Sequence, residues 1–177
     1  MARQATAQRS SSEERREQLI AAAVTEFAEN GFAATSTTQI AKRAGISQPY
    51  VYALFPNKHE LFLAANAEVV DRIRGAFAEA ARGIEGSEER LDAMGSAYKA
   101  LLANREEVMF QHQAYAAAGD PALREPVRRE FMRFFDDVRR LSGAGEDEVW
   151  EFIAHGMFLN VIAALDLPDR FLPMDED

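Results

Sequence analysis

Apolar residues recur along this chain with the 3.6-residue period of α-helices, and Gly, Pro and capping residues interrupt the pattern at intervals of about one helix length. The first clear segment, residues 15–30, places Leu19, Ala23 and Phe27 on one face and ends at Gly31. Seven further segments follow at about 36–44, 47–55, 57–82, 87–103, 105–118, 120–141 and 146–165. No segment alternates with the two-residue period of a β-strand, so the predicted fold class is all-α.

The second and third segments carry the signals of two short helices joined by a tight turn. Ser36 and Gln39 have the spacing of a capping box, and Gly45 supplies the left-handed residue that ends the first short helix. Ser47 caps the second short helix, and Pro49 stands in its first turn, where a missing N–H costs nothing. A helix, a short turn with Gly and a second helix form the helix-turn-helix pattern, whose second helix enters the DNA major groove.

With its flanks, this pattern resembles the N-terminal DNA-binding domain of the tetracycline-repressor (TetR) family over residues 13–65. The matching residues are Phe27…Asn30-Gly31-Phe32, Thr35-Ser36…Ile40-Ala41…Ala44-Gly45-Ile46-Ser47, Tyr52…Phe55-Pro56-Asn57-Lys58 and Glu60-Leu61-Phe62. The resemblance implies an N-terminal three-helix helix-turn-helix domain and a C-terminal helical bundle for regulation and dimerisation.

The expected divisions follow from this resemblance and from the helix punctuation. They are a polar, disordered tail (1–12), the DNA-binding domain (13–56), a connecting helix (57–82) and a ligand-binding and dimerisation domain (83–177).

Charge differs between the two ends of the chain. The formal net charge is -9, but residues 1–58 hold seven Lys and Arg against five acids, and this +2 leaves -11 for the remainder. A basic end that coincides with the helix-turn-helix favours DNA binding, although +2 is also ordinary for a small domain. The chain has no cysteine and no 18-residue apolar run, so we expect a cytoplasmic protein with no disulfide and no membrane span.

The predicted base contacts lie in the exposed N-terminal half of the second short helix. Ser47, Gln48 and Tyr50 occupy it, and Gln can pair with adenine while Tyr can contact a thymine methyl group. Packing of Tyr50 against Tyr52 or the first helix is the alternative.

The predicted phosphate contacts are Thr37 or Thr38, Tyr52 and Lys58. In resembling proteins the positions of Tyr52 and Lys58 commonly contact phosphate, whereas that of Thr38 is often Arg. Two further departures from the family are Leu54, where His or Tyr is common, and Pro49, where Gly is frequent. They leave open a second reading, a helical protein-interaction adaptor with little DNA binding.

The second half of the chain is expected to hold a small-molecule effector and to form a homodimer. An effector pocket between helices is mostly apolar with a few polar groups, which favours an apolar or amphipathic ligand. The pocket candidates, each of which could equally be a core residue, are Met94, Tyr98, Met109, Phe110, Gln113, Tyr115, Trp150 and His155.

The last two predicted helices carry more apolar residues than one core-facing stripe needs. Either they form a thick intramolecular core, or they pair with the same helices of a second subunit. The predicted dimer interface comprises Phe131, Phe134, Phe135, Val138, Phe158, Val161 and Ile162. The spacing of Glu151 and His155 lacks the second motif of a bundle metal site, and no catalytic or phosphate-binding motif is found, so no metal, cofactor or enzyme activity is expected.

Overall fold

The computed structural model of the protein describes residues 2–168 and residue 171, with side chains from Ser12 onward. This part of the chain contains eight helices and no strand, which confirms the all-α fold class. The helices are α1 (Ala2–Ala34), α2 (Thr37–Arg43), α3 (Gln48–Leu54), α4 (Lys58–Ala80), α5 (Ser87–Leu101), α6 (Arg105–Ala117), α7 (Pro121–Ser142) and α8 (Glu146–Leu165).

Helix α1 starts earlier than the sequence pattern predicts. Its backbone is helical from Ala2, so the expectation of a disordered tail over residues 1–12 is corrected, while Met1 lies outside the described residues. The tail contains no Gly or Pro, and its Ala, Arg and Gln favour helix, so a helix already fixed by packing extends into it at little cost. As predicted, Gly31 interrupts the helix, with a φ of 72° and a ψ of 170°.

Side-chain caps mark the starts of α2 and α4. Ser36 Oγ accepts a hydrogen bond from the Gln39 backbone N–H at 3.2 Å, and the Ser36 N–H donates to Gln39 Oε1 at 2.8 Å, as a capping box requires. Asn57 Oδ1 accepts from the Glu60 N–H at 2.9 Å. Helix α5 differs by one residue, because Gly86, with a φ of 92°, is its N-cap and Ser87 is its first helical residue.

The chain forms two compact units. Unit 1 comprises the chain up to Glu68 together with Phe110–Val127. Its core contains the fully buried Phe27, Phe62 and Phe110, and the Phe62 ring lies 4.9 Å from that of Phe27 and 5.4 Å from that of Phe110. The helix-turn-helix segment therefore shares a core with part of α6 and the start of α7, which the predicted domain boundaries do not anticipate.

Unit 2 comprises Val69–Met109 and the chain from Arg128 onward. Phe77 is at its centre, with ring centroids 6.0 Å from Tyr98, 5.9 Å from Phe134 and 5.6 Å from Phe152. These contacts join α4, α5, α7 and α8 in one aromatic core.

Polar side chains reinforce unit 2. Arg74 of α4 donates to Asp71 at 2.9 Å and to Glu130 of α7 at 2.7 Å, and its Nε lies 2.9 Å from Asp137 in an ion pair without hydrogen-bond geometry. Burial lowers the pKa of Arg74, but the hydrogen bonds and charges of these three carboxylates outweigh it and raise the pKa above its usual value. Arg105 donates to the carbonyls of residues 163 and 164, both at 3.0 Å, at the C-terminal end of α8.

Helix α8 is apolar on two opposite sides. Val149, Leu159 and Ile162 are buried, whereas an exposed face about half a turn away consists of Trp150, Met157, Phe158, Val161 and Leu165. Among the described residues α8 alone is long and apolar enough, by length and composition, to cross a membrane. One such helix is weak evidence for a membrane protein.

Candidate nucleic-acid interface

Buried side chains fix the orientation of α2 and α3. Ile40 and Ala41 of α2 and Val51 of α3 are buried, as is Phe55 at the end of α3. The Nε atom of Arg43 donates to Glu26 of α1 at 2.7 Å, which attaches α2 to α1. Val51 faces inward, whereas Gln48 and Tyr52 of the same helix are exposed.

Three side chains of α2 and α3 form a hydrogen-bonded cluster, which we call the Thr37 cluster: Thr37, Gln48 and Tyr52. Thr37 is 6% exposed, and its Oγ1 accepts a hydrogen bond from Gln48 Nε2 at 3.0 Å. The same Oγ1 lies 3.0 Å from the hydroxyl oxygen of Tyr52, which is 49% exposed. The cluster joins a predicted base-reading residue to a predicted phosphate-binding residue.

The remaining predicted contact residues of the helix-turn-helix differ in exposure. Ser47 is exposed and is the N-cap of α3, but its side chain makes no capping hydrogen bond. Tyr50 is half-buried. Of the two threonines proposed for phosphate contact, Thr37 is buried and Thr38 is exposed, which favours Thr38.

Lys58 is directed toward the end of α1. Its Nζ donates to the carbonyl oxygens of Phe32 at 2.8 Å and Thr35 at 3.0 Å, and it lies 4.4 Å from the centre of the Phe32 ring. The ammonium group therefore supplies hydrogen bonds to backbone carbonyl groups just after Gly31, where α1 is interrupted. Phosphate binding by Lys58 remains a prediction, and this structural role is one that the sequence analysis missed.

The next residue, His59, joins the start of α4 to the start of α7. Its Nε2 lies 2.9 Å from Asp120 Oδ2, and its ring lies 4.8 Å from that of Phe32. Asp120 Oδ1 also accepts from the backbone N–H of Ala122 at 2.9 Å, so Asp120 caps α7. The hydrogen bond from His59, and then that from Ala122, lower the pKa of Asp120 below its ordinary value.

The predicted effector-pocket residues fall in both compact units. Phe110, Gln113 and Tyr115 belong to unit 1, and the other five belong to unit 2. Phe110 is fully buried in the unit 1 core, so it is a core residue and not a pocket wall.

Two of the pocket candidates in unit 2 are exposed and two are buried. Trp150, 66% exposed, and His155, also exposed, do not line an interior. Met94 and Tyr98 are buried, and Met109 is half-buried. The Tyr98 hydroxyl donates to Asn160 Oδ1 at 2.6 Å, a buried polar pair beside the aromatic core of unit 2.

The predicted dimer residues also separate by burial. Val138 and Ile162 are buried inside unit 2, so both are removed from the predicted interface. Phe134 and Phe135 are half-buried, whereas Phe131, Phe158 and Val161 are exposed. The exposed face of α8 supplies additional apolar residues that the sequence analysis did not assign to the interface: Trp150, Met157 and Leu165.

The helix-turn-helix segment matches a known family. Residues 19–65 match the family described as "Bacterial regulatory proteins, tetR family". These residues form a DNA-binding domain of the TetR type. The match includes α2, α3, the start of α4 and the part of α1 that packs against them.

Proteins with sequences similar to this chain include named transcription regulators. It is 37% identical over 86 residues to "HTH-type transcriptional activator FasR" of Mycolicibacterium smegmatis, an alignment that covers 49% of this chain and 39% of FasR. It is 26% identical over 124 residues to "Fatty acid metabolism regulator protein" of Bacillus subtilis, covering 68% of this chain and 64% of that protein. These matches therefore span less than two thirds of either relative.

Solved structures of transcriptional regulators share the fold over most of the chain. The crystal structure of the Bacillus subtilis transcriptional regulator FadR in complex with stearoyl-CoA matches with a TM-score of 0.73, over 85% of this chain and 88% of FadR. The sequence identity is 17%, so this likeness concerns the fold alone.

Proposed function

We propose that this protein is a sequence-specific DNA-binding transcription regulator that acts as a homodimer on a pseudo-palindromic operator. The observation that carries the proposal is the exposed N-terminal half of α3, with Ser47 and Gln48 at its start, in a helix-turn-helix that matches the TetR family. An exposed α3 can enter a major groove, where Gln is able to read adenine.

The exposed face of α8 supports the dimer. Trp150 and Leu165, at opposite ends of this helix, are 66% and 65% exposed, and Phe158 between them is 49% exposed. A contiguous apolar face of this kind is unfavourable in water and favours burial against a second copy. A two-fold dimer would place two α3 helices on half-sites about 34–36 Å apart.

A small amphipathic effector would regulate this binding. Support comes from the interior of unit 2, where the Tyr98–Asn160 pair offers polar groups beside aromatic rings. A similar sequence and a similar structure, both from Bacillus subtilis, carry names that point to acyl groups: the fatty acid metabolism regulator and the FadR complex with stearoyl-CoA. Long-chain acyl-CoA is therefore the first ligand class to test.

The mechanism we propose is repression by occlusion, with release by the effector. Helix α4, about 35 Å long, begins at the end of the first piece of unit 1 and continues into unit 2. An effector that binds unit 2 and tilts α4 would change the separation of the two α3 helices. Only an effector with different affinities for the two separations can shift this equilibrium. Crystal structures with and without ligand that show the same α3 separation would contradict this mechanism.

The first test is the selection of bound duplexes from a randomised library at physiological salt. We expect an enriched pseudo-palindrome, and Gln48→Ala should relax the preference at one position of each half-site. Absence of enrichment from a folded dimer would favour the protein-interaction adaptor instead.

The second test adds stearoyl-CoA, with free coenzyme A as the control, to the protein on its selected operator. Release by the acyl form alone is the expected result. A reporter fused to the operator then gives the sign of regulation, and increased transcription would replace repression by activation, as in the name of the relative FasR.

A further inference from the structure

We propose that Thr37 is a specificity-determining positioning residue, which holds the side chain that reads bases and links it to the side chain that binds phosphate. This inference rests on the proposed DNA-binding function and assigns a new role within it. It starts from the Thr37 cluster, in which one buried hydroxyl group contacts Gln48 Nε2 and the Tyr52 hydroxyl, both at 3.0 Å.

The donor and acceptor capacities of the three groups determine the direction of the hydrogen bonds. Gln48 Nε2 can only donate, so Thr37 Oγ1 accepts from it. The Thr37 hydroxyl still has one proton to donate. When the exposed Tyr52 hydroxyl donates its own proton to a phosphate oxygen, its oxygen accepts the proton of Thr37. All hydrogen bonds then run in one direction, from Gln48 through Thr37 and Tyr52 to the phosphate, an arrangement in which each bond strengthens the next.

The cluster leaves Gln48 able to read a base. An amide nitrogen carries two hydrogens, and Thr37 takes one of them. The second N–H and the carbonyl oxygen Oε1 remain, which is the pair of groups that a bidentate contact with adenine requires. Thr37 therefore selects one orientation of the amide without using the groups that recognise the base.

Burial of Thr37 makes this orientation effective. Because Thr37 is 6% exposed, water has little access to its hydroxyl, and a buried hydroxyl without its partners is costly. The Gln48 side chain is exposed and would otherwise sample several rotamers, whose loss on binding opposes association. Fixing the side chain before DNA arrives removes part of that cost for the correct base.

The test compares full-length wild-type protein with Thr37→Val, Thr37→Ser, Gln48→Ala and the double variant Thr37→Val/Gln48→Ala. Each protein binds the selected operator and a duplex changed at the position where Gln48→Ala relaxes the preference. Valine keeps the shape of threonine and removes the hydroxyl, whereas serine keeps the hydroxyl. Thr38→Val is the matched control, because it removes a neighbouring, exposed hydroxyl.

We expect Thr37→Val to reduce discrimination between the two duplexes by about 3- to 10-fold, the worth of one hydrogen bond, without changing the salt dependence of binding. Thr37→Ser should restore discrimination, and the double variant should discriminate no worse than Gln48→Ala alone. Thr38→Val should weaken binding to both duplexes by the same factor. The proposal would be overturned if Thr37→Val discriminated between the two duplexes as well as wild type does. It would also be overturned if the losses of discrimination in the two single variants added up in the double variant.

A measurement on the free protein distinguishes a local change at Gln48 from misfolding of the valine variant. The side-chain amide resonances of Gln48 should shift toward those of a mobile amide in Thr37→Val and return in Thr37→Ser, while backbone resonances of the other helices stay in place. Unchanged Gln48 amide resonances would overturn the positioning role even if DNA affinity falls. If wild-type protein shows no sequence-selective, salt-dependent binding, the proposed function itself fails, and this inference fails with it.

Discussion

At the residue scale, Lys58 has a structural role because its ammonium group contacts backbone carbonyl groups. The Lys58 ammonium group contacts the carbonyls of Phe32 and Thr35, where α1 is interrupted by Gly31 and leaves backbone acceptors without helical partners. Lys58, predicted to contact phosphate, therefore has a structural role in holding the entry to α2.

Replacing Lys58 with Met should lower the free energy of unfolding by about 1–3 kcal/mol, because the aliphatic stem remains while the carbonyls lose their donor. Urea denaturation measures this difference. Lys42→Met is the matched control, since Lys42 is an exposed lysine in α2, and we expect a change within about 0.5 kcal/mol. Equal stability of the two variants would contradict the structural role of Lys58. A salt slope of DNA binding reduced by about one unit in the Lys58 variant would establish a phosphate contact as well.

The carboxylate of Asp120 makes part of the stability depend on pH. Its pKa in the folded protein is lowered by the hydrogen bonds from His59 and Ala122, so its stabilising effect is complete well above the ordinary value of 3.8 and is lost as the pH falls through the folded-state pKa. Asn can still cap α7 but carries no charge. Wild type should therefore be more stable than Asp120→Asn at neutral pH, and the difference in urea midpoint should close below about pH 4. A difference that is constant from pH 3 to pH 7 would refute this origin.

At the scale of helices, Arg74 joins α4 to α7 through ion pairs with two carboxylates of α7. It is 20% exposed and contacts Glu130 and Asp137, which are 17% and 28% exposed. Arg74→Met should destabilise unit 2 by about 1–3 kcal/mol, because Glu130 and Asp137 lose their less exposed cation and keep only the exposed arginines of their own helix, Arg133 and Arg140. Arg82→Met is the control: the Arg82–Glu79 pair is 74% and 70% exposed, and surface pairs of this kind contribute little. Thermal unfolding of both variants checks the prediction, which fails if the two melt alike.

The helices themselves were predictable from the sequence because their ends depend on local chemistry. Ser36, Asn57 and Asp120 accept hydrogen bonds from backbone N–H groups two or three residues later in the chain. Capping residues of this kind are visible in the sequence and indicate where a helix begins. The Thr37 cluster was not predictable, because it joins residues 11 and 15 positions apart across two helices. The contacts of Lys58 with carbonyls 23 and 26 positions earlier were hidden for the same reason. No periodicity in the sequence encodes contacts over such distances.

Burial on α8 shows a second limit of prediction from sequence. Composition indicates that α7 and α8 are too apolar for one core, but composition does not tell which residues face inward. Ile162 is buried and Val161, its neighbour, is exposed, although either residue suits either environment. Only the packing of the other helices of unit 2 decides between them.

At the scale of the whole molecule, the exposed face of α8 predicts the state of association. Phe158→Glu should convert the dimer into a monomer in analytical ultracentrifugation, because a carboxylate at an apolar interface loses its hydration. Ser96→Glu is the control, since Ser96 is exposed on α5 and should leave the dimer intact. The helical content of both variants should equal that of wild type. A dimeric Phe158→Glu protein would move the interface away from this face.

The core shared by Phe62 and Phe110 has a consequence for the order of events during synthesis. Unit 1 is discontinuous, and its second piece ends at Val127, 59 residues after Glu68. At a synthesis rate of about 5–20 residues per second, the ribosome needs about 3–12 s to add those residues. During that interval the nascent chain carries a helix-turn-helix whose aromatic core still lacks Phe110. A fragment that stops at residue 68 would remain in that incomplete state, so an isolated DNA-binding head of this protein should be obtained only when residues 110–127 are supplied with it.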